Sequence, residues 1–308
     1  MKVAITGATG FVGSRLVERL HGLGDSILVL TRNPDKARRV FPTSAYPNLE
    51  IVAYTPKESG PWQQSVAGCD AVVNLAGAPL AEERWTPERK REIMDSRKVG
   101  TEKIVEAIGA AEPKPKVLIN ASAVGYYGTS ETATFDEESP PGDDFLAEVC
   151  KAWEAAAEPV KEVGTRLAIL RFGIVLGKGG AIAKMMAPFK LFAGGPIGSG
   201  RQWFSWIHRD DLVNLIVESL RNEEITGVLN ATAPNPVRMT EFCQTFGQVL
   251  SRPSWLPVPG FAIEALLGDG AIVVLEGQEV RPRRPLASGF EYQFPTVKPA
   301  LEDILAAS

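Results

Sequence analysis

Lys2-Val3-Ala4-Ile5-Thr6-Gly7-Ala8-Thr9-Gly10-Phe11-Val12-Gly13-Ser14-Arg15-Leu16 is a β-branched run that passes through three glycines into an amphipathic stretch, and its reading decides the fold. Val3–Thr6 reads as a strand, and residues 11–23 read as a helix with Val12, Leu16, Leu20 and Leu23 on one side. Between them each glycine has its own task. Gly7 turns the chain, Gly10 lets the backbone approach a pyrophosphate, and Gly13 allows the helix to pack closely on the strand. Thr9, Phe11 and Val12 complete a loop whose free N–H groups, at the positive end of a helix, suit an anion. Three glycines alone could mark a tight turn and nothing more. The strand–turn–helix context selects a dinucleotide site.

Outward from this unit, short apolar runs alternate with longer amphipathic ones. Ser26–Thr31, Glu50–Tyr54, Ala71–Leu75, Lys116–Ala121 and Arg166–Phe172 read as strands, with helical patterns near 87–111 and 145–163. Strands separated in this way form βαβ units, so the expected fold is α/β, a Rossmann-type doubly wound parallel sheet. Beyond residue 175 glycine and proline punctuate the chain, a texture expected of a smaller C-terminal substrate-binding or lid region over 176–308. Residues 1–175 form the cofactor domain in this reading. A helix at 209–221 and a strand at Val228–Ala231 let the segment 208–231 return to complete it, and shorter helices are expected near 240–250 and 297–306.

Composition removes several functions. The 33 Lys and Arg against 37 Asp and Glu give a net charge of −4 with no strongly basic stretch, which argues against a nucleic-acid partner. Cys69, Cys150 and Cys243 form no CxxC pair, so neither a disulfide framework nor a zinc site is indicated. His21 and His208 are the two histidines, too few for a multi-histidine metal centre, and His208, ahead of a helix, reads as structural. No run approaches the ~20 apolar residues of a transmembrane span. The nearest, Ala271–Leu275, has the length of a strand or core segment. With no secretory pattern at the N-terminus, a cytoplasmic protein acting on a small molecule is expected, as a monomer or homodimer.

The end of the second strand addresses the choice of dinucleotide. Leu30-Thr31-Arg32-Asn33 offers no acid to ribose hydroxyls, whereas the Arg32 guanidinium can pair with a 2′-phosphate and Thr31 can hydrogen-bond it. NADP(H) is therefore expected over NAD(H).

These residues, with Asn74-Leu75-Ala76-Gly77, Ser96-Arg97-Lys98-Val99-Gly100-Thr101, Ser122–Gly128, Leu170–Gly177 and Trp206–Leu212, resemble the extended short-chain dehydrogenase/reductase superfamily. More narrowly, Trp153–Ala157, Gly194–Gly200 and Leu275–Gln278 resemble its atypical "epimerase family" branch, described as nucleoside-diphosphate-sugar epimerase-like or cell-division-inhibitor-like. The resemblance covers the whole chain. It implies cofactor contacts from Leu75, Ala76, Gly77 and Ala121, with Arg84 beside them.

It also exposes a departure. Active relatives use a Ser or Thr and a Tyr-x-x-x-Lys helix in which the phenol moves the proton. If Glu154 occupies the family's glutamate position, the Tyr slot holds Leu146 and the Lys slot Cys150. A shift of one residue brings Lys151 into the Lys slot but Ala147 into the Tyr slot, so no register supplies the pair. Ala123 stands at the usual catalytic serine. The remaining candidates are Tyr126, Tyr127, Ser122, Glu154 and His208, of which Ser122 and Tyr126 are taken as catalytic. Glu154 is expected to accept hydrogen bonds from the nicotinamide ribose, and Arg97 to pair with an acid of its own domain. Arg84-Trp85, Lys184-Met185-Met186, Gln202–Trp206 and the cluster Arg281, Arg283 and Arg284 combine charge and aromatic faces suited to a phosphorylated or planar ligand. Two functions follow: an NADP(H)-dependent oxidoreductase or nucleotide-sugar epimerase-like enzyme, or an NADP(H)-responsive regulatory protein without turnover, linked by the resemblance to cell or plastid division.

Overall fold

The alternation along each early strand sets the two faces of the sheet in the computed structural model, which describes residues 1–306. In chain order the strands are β1 (Lys2–Thr6), β2 (Ser26–Thr31), β3 (Leu49–Ala53), β4 (Ala71–Asn74), β5 (Val117–Ala123), β6 (Thr134–Phe135), β7 (Arg166–Phe172), β8 (Ile174–Leu176), β9 (Trp203–Phe204), β10 (Trp206–His208), β11 (Gly227–Ala231), β12 (Val237–Arg238) and β13 (Glu279–Val280). The helices are α1 (Phe11–Gly22), α2 (Pro34–Val40), α3 (Pro87–Ala110), α4 (Phe145–Ala157), α5 (Gly180–Lys190), α6 (Arg209–Arg221), α7 (Met239–Leu250), α8 (Gly260–Leu267), α9 (Ile272–Leu275), α10 (Arg283–Ala287) and α11 (Val297–Ala306).

Seven strands form one sheet in the order β11-β7-β5-β4-β1-β2-β3, all parallel. Val3, Ile5, Val29 and Val73 face α1 and α6, whereas Ala4, Leu28, Leu30 and Val72 face α3 and the end of α4. Both faces are thus covered, as a parallel sheet requires. The expected Rossmann-type fold is the one observed. The order reverses direction at β1 and β4, which opens a crevice beyond their carboxyl ends.

A separate core is built from α5, α7, α11 and the short strands, around Phe189, Trp206, Phe242 and Phe246. Three local expectations change. The helical pattern at 145–163 stops being α-helical at Ala157 and tightens to a 3-10 segment, Glu158–Val163, because Pro159 has no N–H for the next intrahelical bond. Ala271–Leu275 is not a strand: a 3-10 turn, Gly268–Ala271, leads into α9, whose half-buried side chains cover a cavity and have no sheet edge to join. α5 and α8 arise within Gly/Pro-rich sequence, where tertiary packing outweighs local pattern. No described helix is long and apolar enough to cross a membrane.

Candidate functional site

The glycine loop is built as its sequence requires. Gly7 adopts φ +68°, and a Cβ there would stand 2.9 Å from the Leu75 carbonyl carbon and oxygen. At Gly13 a Cβ would meet the Gly7 oxygen at 2.2 Å, so α1 sits against the strand end more closely than any side chain permits. Gly10 is the N-cap of α1 and provides no side-chain acceptor, which leaves the first N–H groups of the helix, those of Phe11, Val12 and Gly13, turned outward. This is a cradle shaped for a diphosphate. Phe11 packs its ring under Gly177, Gly179 and Gly180, tying the loop to the C-terminal region.

A buried polar network fixes the neighbouring strand tips. Thr6 donates through Oγ1 to Asn74 at 2.7 Å and accepts from the backbone N–H groups of Leu75 and Ala76. Asn74 in turn donates to Thr101 (2.9 Å) and Asn120 (2.8 Å). Leu75, Ala76 and Gly77 are thereby held beside the glycine loop at the edge of the crevice. At the tip of β2, Arg32 is exposed and makes no hydrogen bond or ion pair with another side chain among the described residues, while the buried Thr31 hydroxyl accepts from the Asn33 N–H at 3.1 Å. A free guanidinium in that place fits a phosphate on the adenosine ribose.

Beside the crevice lies a cavity of about 210 Å³ at the carboxyl ends of β5 and β7. Its walls include Ala123, Leu146, Cys150, Phe172 and Gly173, and α9 with Gln278 closes over it. Ala123, Leu146 and Cys150, which the resemblance places in the Ser, Tyr and Lys slots when Glu154 sets the register, all line this cavity. The Cys150 thiol is pushed up to about 11, by burial first and by the Glu154 carboxylate second, so it stays protonated at neutral pH.

Ser122, Tyr126 and Glu154 belong elsewhere. Arg171 of β7 binds both oxygens of Glu154, through Nε at 2.8 Å and Nη2 at 2.7 Å, and Ser122 donates to the same carboxylate at 2.7 Å. Arg171 also donates to the Tyr127 hydroxyl (2.9 Å), which donates to Asn230 (2.7 Å), and its guanidinium carbon lies 3.3 Å from the centre of the Tyr126 ring. Burial acts to lower the Arg171 pKa, but the hydrogen bonds and charge of Glu154 more than reverse it, leaving it raised. Burial pushes the Tyr127 phenol up to about 12. The expectation that Glu154 holds a ribose is thus corrected: its carboxylate is committed to Arg171 and Ser122. None of Ser122, Tyr126 and Glu154 lines the cavity.

Other expectations are corrected in the same way. Arg84 donates to the Ala265 carbonyl of α8 at 3.2 Å and so ties that helix to the loop after β4. Arg97 finds no acid among the described residues: it donates to the carbonyls of Ile93 (3.1 Å) and Ala78 (3.0 Å). Arg281 pairs with Glu279, Arg283 with Glu138, and Arg284 binds the carbonyls of Val228 and Thr226, all of them structural ties. Lys184 caps the Ala81 carbonyl, and Trp206 is fully buried with its N–H on the Asn235 carbonyl. His208 accepts the Asp210 N–H through Nδ1 at 3.2 Å and so caps α6. Sequence reasoning passed over Arg171, although an arginine inside the apolar run Leu167–Phe172 was the signal for a buried partner.

The sequence profile of the NAD dependent epimerase/dehydratase family matches residues 3–231, and that of a domain of unknown function (DUF1731) matches residues 258–304. The chain is 55% identical to the chloroplastic "Epimerase family protein SDR39U1 homolog" of Arabidopsis thaliana, covering 99% of this chain and 87% of that protein. It is 38% identical to "Epimerase family protein YfhF" of Bacillus subtilis, over 99% and 98% of the two chains. Among solved structures, the human epimerase family protein SDR39U1 (isoform 2) with NADPH superposes with a TM-score of 0.88 at 37% identity, covering 100% of both chains.

Proposed function

The chain belongs to the NAD dependent epimerase/dehydratase family, and from that premise we propose that it is an NADP(H)-dependent oxidoreductase acting on a small molecule held in the β5–β7 cavity. The observation that carries this reading is the pairing of the glycine cradle at β1 with an Arg32 at the tip of β2 that is exposed and has no partner among the described residues. The first takes the diphosphate and the second the 2′-phosphate that separates NADP(H) from NAD(H). The human relative solved with NADPH supports the same cofactor.

When bound, the nicotinamide supplies or accepts the hydride. The chain's own residues position and enclose. Leu75, Ala76 and Gly77 bound the crevice on one side, Gly173 at the end of β7 packs directly on the Ser205 backbone, and α9 covers the cavity together with Gln278, which donates to the Val124 carbonyl. With Ala123 and Leu146 in the proton-handling positions, epimerisation of a sugar hydroxyl loses its usual acid and base, worth about 10²–10⁴-fold. Simple hydride transfer demands less. The same two residues favour the second reading, an NADP(H)-responsive binding protein without turnover.

One titration and one assay decide. Wild-type protein is expected to bind NADPH at least about tenfold more tightly than NADH, since a charge-assisted hydrogen bond contributes about 1.5–3 kcal/mol. Equal affinities overturn the cofactor assignment. NADPH consumption with a panel of carbonyl compounds then separates enzyme from non-enzyme, and absence of turnover across the panel selects the second reading.

A further inference from the structure

Two buried arginines flank α4, and they differ in one respect: Arg171 has a carboxylate and Arg97 has none. Arg97, on α3, is 9% exposed. Two of its five N–H donors reach the carbonyls of Ile93 and Ala78, and no carboxylate among the described residues pairs with it. Its guanidinium carbon lies 5.1 Å from the centre of the Trp153 ring. Burial pulls its pKa down to about 10, with the nearby Arg89 acting in the same direction, yet it remains a cation at neutral pH. A buried unpaired charge is costly unless something completes it.

Trp153 supplies the second observation. It is 6% exposed, and its indole Nε1–H has no acceptor among the described residues. Arg97 and Trp153 line the same cavity, and the walls near them, Leu80, Val149 and Cys150, carry no hydrogen-bond acceptor in their side chains other than a protonated thiol. The cavity's own acids, Asp144 and Glu276, make no ion pair with Arg97 among the described residues. Asp144 is spent capping α4, accepting the Ala147 N–H at 2.8 Å, and it precedes Cys150 by six residues, about 9 Å along the helix at 1.5 Å per residue. Glu276 is exposed at the cavity wall.

We propose that the ligand of this cavity is a small carboxylate with an apolar body, whose carboxylate docks on the free edge of Arg97 and accepts the Trp153 N–H. A planar carboxylate matches a planar fork of donors, and the apolar walls match a hydrocarbon remainder rather than a sugar. The proposal rests on reading the cavity as the substrate side of the NADP(H) site. The rival source of the same anion chemistry is the cofactor's own pyrophosphate, and the experiment separates the two.

NADPH-saturated protein is titrated calorimetrically with benzoate and phenylpyruvate, and with benzamide as the uncharged isostere of benzoate. Both acids bind, and benzamide binds at least about tenfold more weakly, the value of a charged hydrogen bond. Arg97→Met, which removes a buried charge and keeps an apolar stem, weakens benzoate by at least about tenfold while the NADPH dissociation constant stays within about threefold. Trp153→Phe, which deletes the N–H and keeps a ring, weakens benzoate by about two- to tenfold. The proposal is overturned if neither acid binds, if benzamide matches benzoate, or if Arg97→Met weakens NADPH as much as benzoate, which would give the guanidinium to the pyrophosphate. Failure of wild-type protein to bind NADPH at all overturns the cofactor reading instead. The acid and amide titrations repeated without cofactor then decide this proposal by the same contrast.

Discussion

Glu154→Leu tests whether the cluster beneath the cavity is structural. The carboxylate receives three hydrogen bonds, at 2.8 and 2.7 Å from Arg171 and at 2.7 Å from Ser122. Glu154 is 8% exposed and Arg171 3% exposed, so solvent screens neither group. Removing the carboxylate leaves the guanidinium buried with the Tyr127 hydroxyl and the Tyr126 ring as its remaining side-chain partners. Breaking a buried pair in this way costs about 3–5 kcal/mol. Replacing both partners by apolar residues of similar length removes the uncompensated charge, so Glu154→Leu/Arg171→Met recovers most of the loss and the two substitutions are strongly non-additive. Urea unfolding followed by circular dichroism reads the stabilities, and a calorimetric titration with NADPH reads the site. Glu154→Gln, which keeps shape without charge, is expected to lower stability while leaving NADPH affinity within about threefold, less than the loss of one charged hydrogen bond would cause. The reasoning fails if Glu154→Leu costs less than about 1 kcal/mol, well below the range for a broken buried pair. It fails equally if Glu154→Gln unfolds like wild type but loses tenfold or more in NADPH affinity, for then the carboxylate serves the ribose after all.

Three further substitutions probe the crevice and its frame. Arg32→Ala raises the NADPH dissociation constant by about ten- to a hundredfold and leaves NADH nearly unchanged, and a parallel loss for both dinucleotides would show that the guanidinium does not read the 2′-phosphate. Gly13→Ala places a Cβ 2.2 Å from the Gly7 oxygen, so it costs about 1–3 kcal/mol of stability in thermal melts and weakens NADPH binding as α1 shifts away from the loop. Wild-type behaviour in both measurements would contradict the close packing. His208 is held below the usual imidazole value of about 6.5, mainly by burial. The unfolded chain therefore takes up a proton that the folded chain refuses. Stability, complete above the unfolded pKa, falls as pH drops toward the folded one, and protonation also consumes the Nδ1 lone pair that accepts the Asp210 N–H. His208→Asn keeps a side-chain cap and flattens this acid limb of a urea-midpoint profile, and an unchanged limb would assign it to other groups.

What the sequence made legible is what local rules control. The passage from Val3–Thr6 through Gly7, Gly10 and Gly13 into α1 depends on residues adjacent in the chain, and the structure reproduces it with the glycine clearances that the pattern demands. The slots on α4 were readable for the same reason: helical spacing carries Leu146 and Cys150 to one face, and both line the cavity. The errors fall where a side chain's meaning depends on a partner from another element. Arg84 looks like a ligand-binding cation until α8 arrives, about 180 residues later, to offer it the Ala265 carbonyl. Glu154 looks like a free carboxylate until β7 is laid beside β5 and brings Arg171 under α4. Arg97 errs in the opposite direction, since an arginine in a helix of a soluble domain is expected to find an acid, and here the nearest elements supply carbonyls and an aromatic face. The two buried arginines differ in sequence context, Arg171 lying in the apolar run Leu167–Phe172 and Arg97 in the polar stretch Asp95–Thr101, and they are opposite in consequence. With its carboxylate inside the fold, Arg171 stiffens the floor of the site. Lacking one, Arg97 leaves charge to be completed from outside. At Arg97 and Trp153 the polar demand proposed for the cavity is therefore for an anion and not for a proton.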